Sequence, residues 1–320
     1  MNALPIAPEA AEHFVLRRMS LRHARVLLAL NDTGNISAAA DQLHVTQPAV
    51  SKTLAELEQG LGQTLFLRRG RNMQLTPLGR RLLALARKLD GDVQRAAADV
   101  ATMVRGASGE VRIGATNAAL ARLLPIAITA MKAESPGVTV SVRTHALRSL
   151  FTELQAGTLD LVVARAMPQD EPLGLVRAPL LPQPEVLTMS AHHPLARQPR
   201  LSWETLSRLR WLWQLPGTRT RTLMDRLWQE MGLAPPADLI ESGDAQLALS
   251  LMREMPLVAV MPHDMAMAAA KSGIVVMLPH AVDLGLGPMS VWHQPGMQIE
   301  AVDRFRQLLV EIGGAGADGA

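Results

Sequence analysis

Apolar residues in the first part of the chain recur every three or four positions, which predicts short amphipathic helices. Ser20, Ser37 and Thr46 can each cap one of three successive helices, with a tight turn at His44 and Val45 between the second and the third. The buried face of the first helix is expected at Leu21, Ala24, Leu27 and Leu28. The third helix has one apolar stripe, formed by Val50, Leu54, Leu57 and Leu61, and is expected to close at Gly60 and Gly62.

A hairpin and a long helix are predicted next. Residues 64–67 and 73–75 are strand-like, and the stretch 68–72 between them suits a tight tip. Thr76 and Pro77 form an N-cap followed by a first-turn proline, and the helix is predicted to run to about Arg105, roughly 45 Å at ~1.5 Å per residue. Its apolar positions form a heptad-like seam, Leu78, Leu82, Leu85, Leu89, Val93, Ala96, Val100 and Val104. A lone helix with such a seam usually pairs with a second copy.

After a hinge at residues 106–109 the pattern alternates between strands and helices. Strands are predicted around 111–113, 138–142 and 159–164, with helices at 120–132 and 147–154 between them. A proline-rich stretch, 168–184, precedes a second alternating set. Its strands are expected near residues 186–189, 239–242, 257–261 and 289–292, and its helices near 220–231, 246–253 and 299–312. This pattern predicts two α/β lobes with a cleft between them, and the chain is expected to cross near 165–168 and again near 279–287.

Composition limits the classes of protein to which the chain can belong. The 320 residues are 48% hydrophobic and 19% charged, which suits two or three packed domains and argues against disorder. There are no cysteines, so disulfides and thiolate zinc sites are excluded. The start lacks a signal-peptide pattern, and the longest apolar runs, near ten residues, are short of a membrane span of about 20. The cytoplasm is the expected location.

Positive charge is concentrated near the N-terminus. Between Arg17 and Lys88, twelve Lys and Arg stand against four acidic residues, so this segment carries +8 in a chain whose formal net charge is +3. A basic segment attached to a mildly acidic body indicates that one part of the chain meets a polyanion and the rest does not.

The three helices have the order of a helix-turn-helix, in which the opening turn of the third helix enters the major groove. Gln47 and Ser51 lie one turn apart on the face opposite the buried stripe, and glutamine can pair with an adenine edge. Lys52 suits a phosphate. Three arginines at the hairpin tip, Arg68, Arg69 and Arg71, could straddle the backbone or enter the minor groove. Any one of these residues alone would more often be a solvated surface residue, and the interpretation depends on their combination.

Residues 37–52, SAAADQLHVTQPAVSK, closely resemble the signature of LysR-type transcriptional regulators. The similarity continues at 57–58, 61–62, 65–66, 68–71 and 75–79, and it is contiguous from about residue 21 to 79. By motif position, the resemblance assigns DNA contacts to Ser37, Thr46, Gln47, Ser51, Lys52, Arg68 and Arg71. Where this family often has arginine the chain has Lys52, which keeps the cation without the bidentate fork, so phosphate contact is expected there.

The resemblance also implies the remaining architecture and the partners. The implied fold is a multidomain α+β protein with an N-terminal winged helix-turn-helix, a long linker helix and a two-lobed α/β domain of the periplasmic-binding-protein type. The implied function is ligand-modulated transcription from interrupted palindromes near promoters. The expected partners are double-stranded DNA, a small-molecule effector and further copies of the chain, as homodimers through the linker helix and homotetramers of dimers. RNA polymerase is a further candidate partner.

Domain boundaries follow from the pattern and the resemblance together. The predicted segments are a leader at 1–18, the winged helix-turn-helix at 19–79, the linker helix at 76–106, the effector domain at 109–313 and a tail at 314–320. Within the effector domain, lobe I is predicted to comprise 109–166 and 285–313, and lobe II to comprise 167–284.

Ligands of open α/β sheets bind at the carboxyl ends of strands. In lobe I this rule selects Thr116, Asn117 and Thr144, and Arg165 is added because it lies at the predicted crossing between the lobes. Thr116 and Asn117 could equally do no more than cap a helix. In lobe II it selects Trp213, Thr218 and Gly243. The arginine would suit a carboxylate effector, whereas hydroxyl and amide groups would suit a sugar, and the sequence leaves both open. No cofactor is expected.

Two other classes of protein were weighed. A solute-binding protein of a transport system would share the two lobes, but it should have a signal peptide and no basic helical head. An enzyme is disfavoured because the sequence has no glycine-rich phosphate loop, no nucleophile elbow and no metal triad. The adjacent His192 and His193 are read as part of a structural loop, because neighbouring side chains point apart.

Overall fold

The structure is a computed structural model that describes residues 7–69, 72–104, 109–198 and 200–317. These residues divide into two compact units. One comprises the chain up to 104 together with 152–159, and the other comprises 109–151 with 160–317. Each unit is described by itself.

The first unit begins with four helices. They are α1 (Pro8–Arg17), α2 (Leu21–Thr33), α3 (Ile36–Leu43) and α4 (Gln47–Leu61). Their shared core includes Ala24, Leu27, Val50 and Leu57, all fully buried, and the predicted stripe of α4 is confirmed. The predicted face of α2 is confirmed only in part, because Leu21 and Leu28 are half-buried while Leu30 is fully buried. The turn between α3 and α4 is also confirmed, since His44 adopts a left-handed backbone with φ 55°.

The cap of α3 differs from the prediction. Asn35 has an extended backbone and its side-chain oxygen accepts a hydrogen bond from the backbone N–H of Ala38 at 2.7 Å, so Asn35 is the N-cap. The prediction that Ser37 caps this helix is wrong, because Ser37 lies inside the first turn with its side chain exposed. This leaves the Ser37 hydroxyl available on the surface.

The predicted leader is partly helical. Pro8–Arg17 form α1, and Phe14 on this helix is 9% exposed, packed into the same core as α2 and α4. The Phe14 ring lies directly on Gly60, where an added Cβ would be 2.2 Å from Phe14 Cδ2. Gly60 lies in the last turn of α4, one residue before Leu61, and Gly62, with φ 63°, is the residue that terminates the helix. A glycine inside a helix is explained here by the close approach of an aromatic ring.

Gly60→Ala should have opposite effects in two backgrounds. In the wild-type chain the new methyl group displaces the Phe14 ring, an overpacking cost of about 1–3 kcal/mol that outweighs the gain of about 1 kcal/mol in helix propensity. In a Phe14→Ala background the obstacle is gone, and the same substitution should stabilise the protein. Urea unfolding of the four variants measures both changes, and a shift of the same sign in both backgrounds would contradict this packing.

A two-stranded hairpin and a long helix complete the first unit. β1 (Phe66–Arg69) pairs antiparallel with β2 (Asn72–Leu75), so Arg68 and Arg69 belong to a strand and not to the predicted turn. The helix α5 (Pro77–Val104) begins as predicted, since Thr76 Oγ1 accepts a hydrogen bond from the backbone N–H of Gly79 at 3.0 Å. The predicted seam stays partly open, with Leu89 38%, Val93 42% and Val100 60% exposed.

The second unit contains two five-stranded sheets joined to helices. In chain order the elements of its first part are β3 (Glu110–Ala115), α6 (Asn117–Leu120), α7 (Leu123–Glu134), β4 (Thr139–Thr144), α8 (Leu147–Gln155), β5 (Leu161–Arg165) and β6 (Val176–Leu181). The division between the units crosses α8, whose residues 152–155 belong to the first unit. The last strand and helix of the chain, β12 (Met289–His293) and α13 (Glu300–Ala317), return to this part. The first sheet has the order β4-β3-β5-β12-β6, in which β3 is parallel to β4 and β5 while β12 is antiparallel. We call this sheet with its helices lobe I.

Strand β6 was missed because it lies in the proline-rich stretch assigned to lobe II. It forms the edge of the sheet of lobe I, and Pro179 is accommodated there because an edge strand needs fewer ladder hydrogen bonds. The boundary of lobe II at 167 is therefore wrong for residues 176–181. The predicted tail is also wrong in part, because α13 continues to Ala317.

The second sheet has the order β11-β7-β10-β8-β9. Its elements are β7 (Glu185–Ser190), α9 (Trp203–Ser207), β8 (Trp211–Trp213), α10 (Arg219–Glu230), β9 (Leu239–Glu241), α11 (Ala245–Glu254), β10 (Val258–Pro262), α12 (His263–Lys271) and β11 (Val275–Val282). The predicted strands at β7, β9 and β10 are confirmed, whereas β8 and β11 were missed. We call this sheet with its helices lobe II. A cluster of indoles forms its core, with the Trp228 ring 4.8 Å from Trp211 and 5.3 Å from Trp213.

The two lobes are joined by two short segments. The chain leaves lobe I after β6 and enters lobe II at β7, so the first crossing segment is 182–184 and not the predicted 165–168. It returns between β11 and β12 through the second crossing segment, 283–288, within the predicted region. The prediction of two lobes connected twice is confirmed, with the first connection displaced by the unpredicted strand β6.

A buried ion pair joins two neighbouring strands of lobe I. Asp160 is fully buried just before β5, and its carboxylate accepts hydrogen bonds from the backbone N–H and Nε of Arg112 on β3, at 2.8 and 3.2 Å. Arg112 is itself 8% exposed. The aspartate therefore joins two neighbouring parallel strands near the beginning of β5.

Candidate functional site

The opening turn of α4 is presented to solvent. Thr46, Gln47 and Lys52 are exposed and Ser51 is half-buried, while Val50 and Leu54 on the opposite face are buried in the core. Thr46 occupies the N-cap position with an extended backbone, although its side chain makes no capping hydrogen bond. The face that the sequence analysis selected for base reading is thus accessible, on a helix fixed from behind.

The side chains of Ser37 and Gln47 lie together. The Ser37 hydroxyl donates a hydrogen bond to Gln47 Oε1 at 3.3 Å, which connects the first turn of α3 to the first turn of α4. A carbonyl oxygen has two lone pairs, so Oε1 can still accept a second hydrogen bond while Nε2 donates. Ser37 thereby restrains the Gln47 amide while leaving one lone pair of Oε1 and the Nε2 donors free.

Glu58 positions the hairpin relative to α4, a role that the sequence analysis did not assign. Its Oε1 accepts hydrogen bonds from the backbone N–H of Leu65 at 2.7 Å and of Phe66 at 3.4 Å, at the start of β1. On β2 the backbone N–H of Met73 donates to Gly34 O at 2.9 Å. The hairpin is therefore fixed at both strands. A carboxylate seven residues before its partner has no distinct sequence pattern, so the chain alone did not show this contact.

The three arginines of the hairpin are only partly described. Arg68 and Arg69 lie on β1, and their side chains are outside the part of the chain that the structure describes, as is the whole of Arg71. The strand register pairs Arg69 with Asn72, so the hairpin carries these residues toward its tip. Their predicted contact with the DNA backbone stays a prediction.

In the second unit, the predicted ligand residues of lobe I follow neighbouring strands. Ala115, the last residue of β3, is in register with Thr144, the last residue of β4, so Thr116 and Thr144 leave the same edge of the sheet. Thr116 takes the N-cap position of α6 without a side-chain capping bond, and Thr144 is exposed. The interpretation that Thr116 serves as a side-chain cap is not supported by this geometry.

Lobe II presents its own carboxyl edge through β8 and β9, whose last residues Trp213 and Glu241 are in register. Thr218 is the N-cap of α10, and its hydroxyl accepts from Arg221 N at 3.4 Å and donates to Leu215 O at 2.8 Å. The Trp213 indole is 3% exposed in the core of lobe II, so it does not reach the cleft as the sequence analysis expected. Its large apolar ring is packed among other tryptophans.

The carboxyl edges of the two lobes meet at one hydrogen bond. Asn117 Nδ2 at the start of α6 donates to Gly243 O in the loop after β9, at 3.0 Å. Both residues were selected from sequence as ligand contacts. The structure thus brings a predicted residue of lobe I against a predicted residue of lobe II.

Arg165, the last residue of β5, is directed to the first crossing segment. Its side chain is 9% exposed, donates to Gln183 O at 2.8 Å and pairs with the carboxylate of Glu185, whose side chain is 3% exposed. Burial raises the pKa of Glu185, and the charge and hydrogen bond of Arg165 oppose that shift. The arginine is therefore held by a carboxylate that the sequence analysis did not identify.

Comparison with known proteins assigns the family. The model of the LysR substrate binding domain matches residues 105–313, and that of the bacterial regulatory helix-turn-helix protein, lysR family, matches residues 21–80. The chain belongs to the LysR family of transcriptional regulators.

Relatives of this LysR-type regulator span most of its length. The HTH-type transcriptional regulator GalR of Pseudomonas putida is 29% identical over 97% of this chain and 79% of its own length. GbpR of Rhizobium radiobacter is 30% identical over 77% of this chain and 82% of its own length. The crystal structure of CbnR, a LysR family regulator, shares the fold with a TM-score of 0.60 at 22% identity, covering 92% of this chain and 99% of CbnR. CbnR has also been crystallised with its target DNA, and that structure has a TM-score of 0.59.

Family membership confirms the coarse predictions from sequence. The LysR-type regulator is a DNA-binding transcription factor with an effector-binding domain, and it is not an enzyme. Among the described residues no group of three His, Asp or Glu could hold a metal ion, and His193 Nδ1 instead accepts from the backbone N–H of Leu195 at 3.0 Å. Within the same residues, no helix combines the length and the apolar character needed to cross a membrane.

Proposed function

We propose that this protein reads an interrupted palindrome near a promoter with the opening turn of α4 and adjusts transcription when a small molecule occupies the cleft between lobes I and II. The observation that carries the proposal is the exposed Gln47, oriented by Ser37 on a helix whose opposite face is buried. Thr46, Gln47 and Ser51 would contact base edges, and Lys52 with the arginines of the hairpin would contact phosphates.

A titration of fluorescent duplex tests the reading of DNA. The duplex carries the intergenic DNA beside the protein's own gene, and a shuffled duplex of equal length and composition is the control. We expect selective binding that weakens steeply with salt, because phosphate contacts release counterions; six to ten contacts would cost about 10³–10⁵ in affinity between roughly 50 and 200 mM salt. Equal, weak binding to both duplexes would contradict the proposal.

The effector would lie at the carboxyl edges of β3, β4, β8 and β9. Thr116, Asn117, Thr144, Thr218 and Gly243 support this placement because they lie at or after the ends of those strands, and the first three have hydroxyl or amide groups. Arg165, which was predicted for the same site, is instead held by Glu185 and Gln183 O at the first crossing segment. A carboxylate or a sugar remains the candidate effector class, and a thermal-shift screen of small acids and sugars distinguishes them, since a ligand that binds only the native state raises its stability.

A second copy of the chain would pack against α5. Apolar side chains along this helix are exposed at Leu78, Leu89, Val93, Val100 and Val104. Such a stripe at helical spacing is typical of a helix that pairs with another. We infer a homodimer through α5, with tetramers formed as pairs of dimers. Light scattering of the purified protein measures this stoichiometry. We also infer a cytoplasmic location. The segments 19–79, 76–106 and 109–313 are the proposed functional domains.

A further inference from the structure

A cavity of about 660 Å³ lies between the two crossing segments. Its walls are mostly apolar, with Pro184 and Val186 on one side and Leu284 and Leu286 on the other. Cavities of roughly 300–1,000 Å³ are the usual size of small-molecule sites. Of the residues predicted for the effector cleft, only Arg165 lines this cavity, so its walls differ from those of the predicted cleft.

The most buried polar groups of the cavity are Arg165 and Glu185, whose side chains are each more than nine-tenths buried. Gln183, His280 and Asp283 also line it. The guanidinium donates to Gln183 O and to one carboxylate oxygen of Glu185. A guanidinium has five N–H donors and a carboxylate about four acceptor positions, so both groups retain hydrogen-bonding capacity. A hydroxyl group can satisfy both at once, accepting from Arg165 and donating to Glu185.

The charged groups of the cavity restrict which class of ligand it can bind. Arg165 and Glu185 neutralise each other, and Asp283 also lines the cavity, so a carboxylate ligand would find no uncompensated positive charge beside this buried pair. Burial raises the pKa of Glu185, although Arg165 opposes the shift, so a second negative charge beside this carboxyl is disfavoured. An uncharged ligand carries no such penalty, and an apolar body matches the proline, valine and leucine walls.

We propose that this cavity between the crossing segments binds an uncharged, largely apolar molecule with one hydroxyl group. The ligand would be of the phenol or alcohol type, with its hydroxyl held between Arg165 and Glu185. Because both walls are segments that cross between the lobes, a ligand that prefers one lobe arrangement shifts the population toward it. The cavity would be a second control point in addition to the proposed effector cleft. Binding here does not depend on DNA recognition and is measured without DNA.

The probes are 1-naphthol and 1-naphthoate, which have the same ring system and differ in hydroxyl against carboxylate. Calorimetric titration of the full-length protein should show one site for 1-naphthol and at least about tenfold weaker binding of 1-naphthoate. In Glu185→Gln the positive charge of Arg165 is no longer neutralised, so 1-naphthoate should bind at least about tenfold more tightly than to the wild type. A wild type that binds the two probes equally, or a Glu185→Gln protein with unchanged preference, overturns the proposal.

A cavity-filling variant keeps the test decisive if Glu185→Gln does not fold. Leu286→Trp places a large ring in the cavity and should weaken 1-naphthol binding at least about tenfold. Leu173→Trp is the matched control, because Leu173 is 95% exposed and lies away from the cavity, and its affinity should equal that of the wild type. Binding of 1-naphthol that survives Leu286→Trp would place the probe elsewhere and refute the site. The duplex titration, carried out on the same protein preparations, shows independently whether each protein still binds its own duplex in preference to the shuffled one.

Discussion

Gln47→Ala is expected to reduce the preference of the protein for its operator over unrelated duplex by about 5- to 150-fold. This range corresponds to the roughly 1–3 kcal/mol that one bidentate side-chain contact with a base contributes to discrimination. Gln47 is exposed and does not pack in the core, so its loss should leave the unfolding midpoint unchanged. Parallel titrations of operator and shuffled duplex give the ratio directly.

Lys52→Ala is the matched control on the same helix. Lys52 is exposed and is expected to contact phosphate, so its removal should weaken binding to every sequence alike and lower the salt slope by about 0.9. If both variants lose affinity while the operator preference is kept, Gln47 does not read a base. Should Lys52→Ala instead change the preference among sequences, the assignment of the two residues is reversed.

Asp160→Ala should destabilise the second unit by about 3–5 kcal/mol, the largest stability effect that we expect from one substitution. The change leaves Arg112 buried without its carboxylate, and breaking a buried pair on one side costs this much because the remaining charge is uncompensated. It also removes the acceptor of the Arg112 backbone N–H. Denaturant unfolding followed by circular dichroism measures the loss.

The control for Asp160 is an ion pair on the surface. Arg226 pairs with Glu230 at 2.7 Å on α10, with side chains 73% and 57% exposed. Arg226→Ala should cost less than about 1 kcal/mol, since exposed pairs are screened by solvent. Equal effects of the two substitutions would show that burial does not set the strength of the Asp160 contact.

Local patterns predicted the DNA-binding end of the chain well. Helices α2 and α4, the turn at His44 and the Thr76 cap each depend on residues within a few positions of one another, which is the distance over which periodicity and capping act. The part that was not predicted there depends on a contact between residues far apart in the sequence. Helix α1 is held by the contact of Phe14 with Gly60, forty-six positions later, and no local pattern indicates it.

The second unit was harder to predict because its strands pair over long distances. The prolines before β7 favoured a linker, yet Pro179 lies in an edge strand whose partner β12 is more than a hundred residues later. The pairing of Arg165 with Glu185 depends on that same topology. Sequence identified which residues follow strands, as with Asn117 and Gly243, but could not show that these two would meet.

The distribution of the indoles has a practical consequence for experiments on this protein. All five tryptophans occur at or after residue 203, the chain has no tyrosine, and several of the indoles pack against one another in the core of lobe II. Intrinsic emission therefore originates entirely from the effector-binding region, while the DNA-binding region has no tryptophan or tyrosine to emit. A dye attached to the operator would report on DNA binding, and intrinsic tryptophan fluorescence would report on the effector-binding region. Both signals can be recorded in one cuvette without a label on the protein.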